Sequence, residues 1–368
     1  MNSNSAFLPL SAWGFNFSHP LIIAGPCSVE TPEQVRQTAA HLKQYGVQML
    51  RGGIWKPRTR PDTFQGIGRE GLQWLKEAGT ASGLYTCVEV ASPKHIEDAL
   101  SAGIDVLWLG ARTTVNPFLV QEIADAIKGT DIPVLIKNPI NPELELWLGA
   151  IERIARAGIK RIAAVHRGFS SFEKTIYRNP PNWEIPIELR RRIPDLPLLC
   201  DPSHICGKRE MIADVCQTAL DLSYDGLMIE SHINPAKAWS DTEQQLTPEE
   251  VGILLSGLVL RTITVDDVVF NSLLEKLRHK IDQVDAKILN LMAERMNIAR
   301  EIGQYKKEHN MTILQVKRWE EILRTRTELG IEQQLTPEFV ARMYELIHSE
   351  SIYHQTQVMN KSDVGSEM

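Results

Sequence analysis

Four side chains of the types that bind transition metals lie in the first two-thirds of this chain. Cys27, His204, Glu230 and Asp241 offer one thiol, one imidazole and two carboxylates. A mixed set of soft and hard donors suits Mn²⁺, Fe²⁺, Zn²⁺ or Co²⁺ better than Mg²⁺. A single cysteine is more often a packed thiol than a ligand. The prediction of a divalent metal site therefore depends on a fold that brings all four residues together.

A second group of chemically capable residues is basic. It consists of Arg51, Lys56, Arg112, Lys137 and Arg167. Gathered in one place, these charges would repel one another unless an anion lay among them, and the arginine fork suits phosphate and carboxylate. The Lys-Pro-Arg-Thr segment adds Arg58 and Thr59, which could hold another phosphate. Two anion sites beside a Lewis-acidic metal indicate two phosphorylated substrates that are joined at a polarised carbonyl.

Eight short apolar runs position these residues along the chain. They are 21–27, 47–53, 83–90, 106–112, 133–139, 162–168, 196–204 and 226–231. Such runs, separated by helical stretches, are typical of strands buried on both faces, and their alternation predicts an α/β fold, a (β/α)8 TIM barrel. In that fold the chemistry lies at the carboxyl ends of the strands. Here each run carries a polar or reactive residue near its end: Cys27, Arg51, Glu89, Arg112, Lys137, Arg167, His204 and Glu230.

Three of the predicted helices begin with the same Thr-Pro-Glu signal, at Thr31, Thr247 and Thr336. A threonine at this position is expected to cap the helix with its side chain, and proline fits the first helical turn. The signal therefore predicts helix starts at 32, 248 and 337.

Composition excludes several classes of protein. The formal charge of −6 argues against a generally basic nucleic-acid binder, although it permits a local cationic pocket. No run approaches the ~20 apolar residues of a membrane helix, and the N-terminal residues do not resemble a secretory signal. The five cysteines are odd in number and form no CxxC pair, which is typical of the reducing cytoplasm. We expect a cytoplasmic enzyme that binds neither nucleic acid nor membranes.

The pattern changes after residue 262 from alternating elements to helices alone. Ser272 and Glu275 have the spacing of a capping box, and a long helix is predicted from there to Glu308. Its apolar stripe consists of Leu277, Ile281, Val284, Ile288, Leu291, Ile298, Ile302 and Tyr305. Two shorter helices are predicted at 315–329 and 337–357. Because so small an all-α domain cannot cover the long helix by itself, we expect a three-helix unit that dimerises.

These patterns predict four segments. They are a barrel over 1–262, a linker over 263–271, a helical domain over 272–357 and a tail over 358–368.

Arg295 interrupts the apolar stripe of the long helix. A buried arginine needs an anionic partner, and for one isolated arginine a salt bridge to glutamate is the simpler interpretation. Lys306 lies eleven residues further on and faces the same way, since eleven steps of 100° give three turns plus about 20°. Arg278 lies about 100° off that face, so it is expected to serve a different pocket, which in a dimer could belong to the partner.

The barrel motifs resemble those of 3-deoxy-D-arabino-heptulosonate 7-phosphate (DAHP) synthase, most closely its shorter class, over residues 15–260. The matching motifs are GPCSVE (25–30), RGGIWKPRT (51–59), TFQG (63–66), GART (110–113), IKNP (136–139), HRG (166–168), DPSH (201–204) and ESHINPAKAWSD (230–241). The resemblance implies that the four metal-type residues are metal ligands. The five basic residues would hold phosphoenolpyruvate, and Arg58 with Thr59 would hold the phosphate of erythrose 4-phosphate.

The implied reaction is attack of phosphoenolpyruvate C3 on the aldehyde, addition of water at C2 and loss of phosphate. Glu89 and Lys137 are positional candidates for handling the water, and His232 is expected to support the site rather than bind metal. The related 3-deoxy-manno-octulosonate 8-phosphate synthase is the main alternative, but its aldose loop has a KANR-type sequence where this chain reads KPRT. A binding protein on a decayed barrel is a further alternative, and it would have lost some of these residues.

The C-terminal part, roughly 272–357, resembles the all-helical chorismate mutase family. LRHKID (277–282), AER (293–295), Gly303-x-x-Lys306 and the Ser351 to Gln355 step match its pattern. The resemblance implies that Arg295 and Arg318 hold the carboxylates of chorismate, with Arg278 from the other subunit. Lys306 and Gln355 would address the ether oxygen that is cleaved on the way to prephenate.

The chain departs from the mutase pattern on the second of these helices. Gln315 replaces an aspartate and can still bond the substrate hydroxyl, whereas Trp319 cannot replace the usual glutamate. A sensory domain without turnover is therefore the alternative for this part.

Together these observations predict a bifunctional enzyme of the shikimate pathway, a transferase fused to an isomerase. Because the first strand begins at Leu21, we expect the fused domain, and no N-terminal module, to mediate inhibition of the synthase by prephenate or chorismate.

Overall fold

A computed structural model describes residues 7–56, 62–262 and 264–360 of the chain. The chain divides into two compact units, Met1–Ile263 and Thr264–Met368. Arg58 and Thr59, two predicted phosphate-binding residues, lie outside the described residues.

The first unit is a closed barrel of eight parallel strands in sequence order, with β8 pairing back onto β1, as predicted. The strands are β1 Leu21–Gly25, β2 Met49–Gly52, β3 Tyr85–Val90, β4 Val106–Leu109, β5 Val134–Lys137, β6 Ile162–His166, β7 Leu198–Cys200 and β8 Gly226–Glu230. Most of the apolar runs extend beyond the strands that they contain. As a result, Cys27, Arg112, Arg167 and His204 lie in the segments that follow strands, at the carboxyl-terminal rim.

Helices surround the barrel and connect its strands. They are α1 Pro32–Lys43, α2 Glu70–Ser82, α3 Pro93–Ser101, α4 Ala111–Thr114, α5 Pro117–Ile127, α6 Leu144–Arg156, α7 Glu184–Arg192, α8 Pro202–Cys206, α9 Ile212–Asp221 and α10 Pro248–Gly257. Thr31 caps α1 by accepting from the backbone N–H of Gln34, as predicted. Thr247 likewise caps α10, in a complete capping box with Glu250.

Apolar side chains form two layers in this unit. One fills the barrel interior and includes Ile23, Leu135 and Met228, and the other lies between the strands and the surrounding helices. All five cysteines are free and buried, so the interpretation of the other four as packed thiols is confirmed. Apolar side chains therefore fill the barrel interior, and the polar residues of the site lie at the carboxyl-terminal rim.

The described part of the second unit, residues 264–360, consists of three helices, α11 Val268–Glu308, α12 Val316–Glu332 and α13 Pro337–Met359. The predicted capping box at Ser272 was wrong, because α11 begins four residues earlier with Asp267 as its cap. The side chain of Thr336 was also expected to cap α13, but it makes no capping hydrogen bond. At 41 residues α11 is about 60 Å long.

The apolar stripe of α11 is exposed within its own unit. Its eight members, Leu277 to Tyr305, keep 44–67% of their surface. Packing inside the unit uses a different face of α11, on which Met296, Ala299 and Gly303 are buried. A contiguous apolar stripe of this length is typical of a surface that another chain covers. Among the described residues, no helix combines the length and apolarity needed to cross a membrane.

Candidate active sites

The rim of the barrel brings three of the four predicted metal ligands together. The ligand atoms of Cys27, Glu230 and Asp241 all lie within 4.8 Å of one another. Cys27 follows β1, Glu230 ends β8 and Asp241 lies beyond it, so adjacent parts of the closed barrel supply them. His204 does not belong to this compact set, but its Nε2 atom lies 3.7 Å from Oε1 of Glu230.

The Cys27 thiol is surrounded by polar groups. It donates to Oδ2 of Asp241 at 3.1 Å, and the Lys56 ammonium lies 2.7 Å from its sulfur. Burial, reinforced by the charges of Glu230 and Asp241, raises the pKa of this thiol to about 12, against the opposing effect of Lys56. A coordinating cation would deprotonate the thiol, so metal binding here is expected to release a proton.

His204 has the surroundings of a metal-binding imidazole. Its Nδ1 atom lies 2.8 Å from a carboxylate oxygen of Asp201, which fixes the ring and leaves Nε2 facing Glu230. A carboxylate on the second ring nitrogen is the usual support of a histidine ligand. Burial lowers the pKa of His204, which favours the neutral imidazole that coordination requires. The donors at this rim therefore fit a divalent transition metal.

Two of the predicted basic residues are buried close to the ring of Trp108. The Arg51 guanidinium lies 5.2 Å and the Lys137 ammonium 5.6 Å from the centroid of its ring. Arg51 donates to Glu230 at 2.9 Å, and Lys137 donates to Asp201 at 2.6 Å.

Arg51 retains unused hydrogen-bonding capacity. Its Nε and Nη1 atoms are buried and have no hydrogen-bond partner among the described residues. Buried donors without partners are rare and costly. Since both atoms belong to a buried cation, the ligand that best satisfies them is an anion.

Further cationic groups lie near this point. Burial lowers the pKa of Arg167 to about 10, and the positive charges of Arg178 and Arg112 act in the same direction. Arg112 is exposed in the first turn of α4. The structure thus places the described members of the basic group at one rim, beside the carboxylates. Glu89, the candidate for handling water, approaches Gly110 so closely that a Cβ there would overlap the carboxylate.

Sequence reasoning missed four residues of this site, which are Asp201, Trp108, Arg178 and Gln244. Asp201 was quoted within a motif without a role, although it bonds both Lys137 and His204. Trp108 lies inside an apolar run and Arg178 in a loop, so neither gave a signal. Arg178 donates to Asp241 and to Gln244, whose amide donates to Glu230.

His232, which was expected to support the site rather than bind metal, contacts Glu30 at 3.3 Å.

In the helical unit, the face of α13 toward α11 carries a second cluster. Arg295 donates to the hydroxyl of Ser351 at 2.6 Å, and the described residues supply no carboxylate in salt-bridge contact with it. The Lys306 ammonium donates to the carbonyl of Ile313 at 2.5 Å. Gln355 is buried against Gly303, and its Oε1 atom has no partner among the described residues.

Three other predicted mutase residues are exposed. Arg318 pairs with Glu321 at 2.6 Å, and Arg278 pairs with Glu275 at 2.5 Å. Gln315 precedes the first turn of α12 as its cap residue. The single chain therefore assembles Arg295, Ser351, Lys306 and Gln355, whereas Arg278 lies on the exposed part of α11.

One further contact lies beside this cluster. The rings of Trp319 and His348 are stacked, with centroids 4.1 Å apart and planes 12° from parallel. His348 gave no signal in the sequence analysis, and Trp319 was noted only as a departure from the mutase pattern.

Comparison with known proteins identifies both units. Residues 17–259 match the DAHP synthetase I family. The chain belongs to that family. Residues 277–356 match chorismate mutase type II, so a mutase-type domain follows the barrel, as the sequence predicted.

Individual relatives agree with the match of the barrel. A phospho-2-dehydro-3-deoxyheptonate aldolase of Thermotoga maritima is 38% identical over 229 residues, which cover 61% of this chain and 64% of that protein. The aligned part is thus less than two thirds of that relative's length. The crystal structure of the DAHP synthase of Thermotoga maritima has a TM-score of 0.61 at 33% identity, covering 68% of this chain and 72% of that one.

More distant relatives act in a different reaction. A 2-dehydro-3-deoxyphosphooctonate aldolase of Burkholderia vietnamiensis is 28% identical over 282 residues, covering 69% of this chain and 93% of that protein. The octulosonate alternative therefore rests on a more distant likeness than the heptulosonate interpretation.

Proposed function

We propose that this chain is a bifunctional enzyme of the shikimate pathway. Its barrel condenses phosphoenolpyruvate with erythrose 4-phosphate to DAHP and phosphate, and its helical unit rearranges chorismate to prephenate. The observation that carries the synthase assignment is the buried Arg51, with two unsatisfied donors beside a compact set of metal-type ligands. Membership of the DAHP synthetase I family and the match to chorismate mutase type II support the two activities.

Cys27, His204, Glu230 and Asp241 would hold a divalent metal ion, Mn²⁺, Fe²⁺, Co²⁺ or Zn²⁺. When bound, such an ion polarises the aldehyde oxygen of the sugar phosphate and lowers the barrier to carbon–carbon bond formation. Asp201 keeps the imidazole of His204 in the orientation that this requires.

The basic residues have a separate role, which is to bind and orient phosphoenolpyruvate. Arg51 offers its two unsatisfied donors, and Lys137, Arg167 and Arg112 add positive charge at the same rim. Oriented binding of this kind supplies a large part of the rate in a reaction of two bound substrates. Lys137 is also the candidate for handling the proton of the water that adds at C2.

The choice of sugar rests on the sequence of the segment 56–59. Arg58 and Thr59 are proposed to bind the phosphate of the four-carbon aldose. The test is product formation from phosphoenolpyruvate with erythrose 4-phosphate and, separately, with arabinose 5-phosphate. A larger kcat/KM for the four-carbon sugar supports the proposal, and a larger value for the five-carbon sugar makes the barrel an octulosonate synthase.

For the helical unit, the observation that carries the assignment is the Arg295–Ser351 contact beside Lys306 and the buried Gln355 amide. Arg295 and Arg318 would bind the two carboxylates, and the other two residues the ether oxygen, on which negative charge develops. A purely sensory domain would bind chorismate without consuming it. Loss of chorismate absorbance with formation of prephenate separates these alternatives.

The exposed apolar stripe of α11 supports a homodimer through the helical units. In such a dimer Arg278 of one chain would complete the site of the other. We further propose that prephenate or chorismate bound at this site inhibits the synthase, because ligand binding that favours one arrangement of the protein shifts its population.

A further inference from the structure

His348 lies on the face of α13 that carries the proposed mutase residues. It precedes Ser351 by three residues and Gln355 by seven, so at ~100° per residue all three project to within about 60° of one another. The positive charges of Arg295 and Lys306 both act on its imidazole. His348 therefore belongs to the same cluster, although it matches no position of the motif that identified the cluster.

The stacked Trp319 connects His348 with the second helix of the site. Trp319 lies in the first turns of α12, and its backbone N–H donates to the carbonyl of Gln315, the residue that precedes this helix. The tryptophan replaces the carboxylate expected at this position and cannot accept a hydrogen bond. It does fix the plane of the imidazole through the parallel stack.

The imidazole has a polar atom that nothing in its surroundings satisfies. Nε2 of His348 is buried and has no hydrogen-bond partner among the described residues. Burial lowers the pKa of His348, and the charges of Arg295 and Lys306 lower it further. The ring is therefore neutral near pH 7, and it can donate to or accept from an uncharged group.

Chorismate has one polar group, the ring hydroxyl, for which the other residues supply only the exposed amide of Gln315. The arginines match its two carboxylates, and Lys306 with Gln355 matches the ether oxygen. The ring hydroxyl remains, and it is uncharged. A neutral imidazole, held against the ring of Trp319, suits it as donor or acceptor.

We propose that Nε2 of His348 hydrogen-bonds the ring hydroxyl of chorismate, and that the Trp319 ring holds the imidazole in place for this contact. The pair takes over the role of the missing carboxylate. This inference rests on the mutase function proposed above.

The test compares chorismate with its analogue in which the ring hydroxyl is replaced by hydrogen, using the full chain. For chorismate, His348→Leu should lower kcat/KM about 10-fold, as expected for one lost hydrogen bond in a buried site. For the deoxy analogue the same variant should stay within about twofold of wild type, because the lost contact has no counterpart there. His348→Gln, which keeps a polar group, should recover most of the loss for chorismate.

Trp319→Phe keeps a ring on which the imidazole can stack, so this variant should retain most of the wild-type kcat/KM. Trp319→Ala removes the ring and should change kcat/KM as His348→Leu does, with a loss for chorismate and little change for the deoxy analogue. His354→Leu, on the same helix but paired with Glu350, is the matched control and should leave kcat/KM unchanged. Circular dichroism checks folding, and His348→Met replaces the leucine variant if that variant does not fold.

Equal kcat/KM for wild type and His348→Leu with chorismate would overturn the inference. An equal loss with both substrates would also overturn it, since that result indicates a structural role. A wild-type chain that does not convert chorismate is a different outcome, because it refutes the proposed mutase function itself.

Discussion

Replacing Asp201 by asparagine tests whether the buried charges at the barrel rim form one interdependent set. Asp201 is fully buried and accepts from Lys137, whose side chain is 5% exposed. It also contacts His204 and lies 4.0 Å from Arg51. Burial alone would raise the pKa of Asp201, but its contact with His204 and the positive charges of Lys137 and Arg51 hold that pKa well below its usual range. The carboxylate is therefore ionised in the folded protein, and the asparagine removes one full negative charge.

The expected cost follows from this burial. Removing one partner of a buried ion pair leaves the other charge uncompensated and costs about 3–5 kcal/mol. For a unit of this size the loss corresponds to a Tm lower by roughly 6–20 °C. Synthase activity should fall at least about tenfold, because Lys137 and His204 both lose the group that orients them.

Thermal unfolding in the presence of a chelator measures the decrease in Tm without a contribution from metal binding. Glu145→Gln is the matched control, because it removes a carboxylate from the exposed pair with Arg192 and should cost at most about 1 kcal/mol. If Asp201→Asn lowers Tm no more than the control and retains synthase activity, the reasoning about this charge set is wrong.

Three further predictions concern the substrates and the second unit. Arg58→Ala should raise KM for erythrose 4-phosphate far more than KM for phosphoenolpyruvate. Arg112→Ala should instead raise mainly KM for phosphoenolpyruvate. Steady-state kinetics in which each substrate is varied in turn checks both predictions. Arg278→Ala and Lys306→Ala homodimers should each have little mutase activity, and subunit exchange between them should restore about a quarter of the wild-type value. No recovery after confirmed exchange would place Arg278 in the site of its own chain. Prephenate should inhibit the synthase of the intact chain but not that of a chain shortened to Thr264, by a change in apparent affinity of about 5- to 150-fold. An equal response of both chains would refute regulation through the helical unit.

The barrel was predictable because strand burial leaves a direct signal in the sequence. Eight short, almost wholly apolar runs are typical of strands that are buried on both faces of a sheet, and the polar residues at the ends of these runs marked the functional rim. Residues such as Lys137 could be assigned to that rim since their positions follow from strand order alone.

Contacts formed across the fold left no such signal. Asp201 acts through side chains that are 64 and 3 residues away, and Arg178 reaches Asp241 from a loop whose path the sequence does not specify. The start of α11 was misplaced because both Asp267 and Ser272 can cap a helix, and local pattern did not decide between them. His348 was missed because it lies outside the motif, and only its stack on Trp319 revealed its position.

The most direct test of the central claim is one pair of assays on the purified chain. DAHP formation from phosphoenolpyruvate and erythrose 4-phosphate, and loss of chorismate, are each measured before and after metal removal, with Cys27→Ala as the matching variant. The account predicts that both activities are present in the same chain. It predicts that chelation or Cys27→Ala abolishes the synthase and leaves the mutase largely intact. Full synthase activity in metal-stripped protein, or loss of both activities together on chelation, would contradict it.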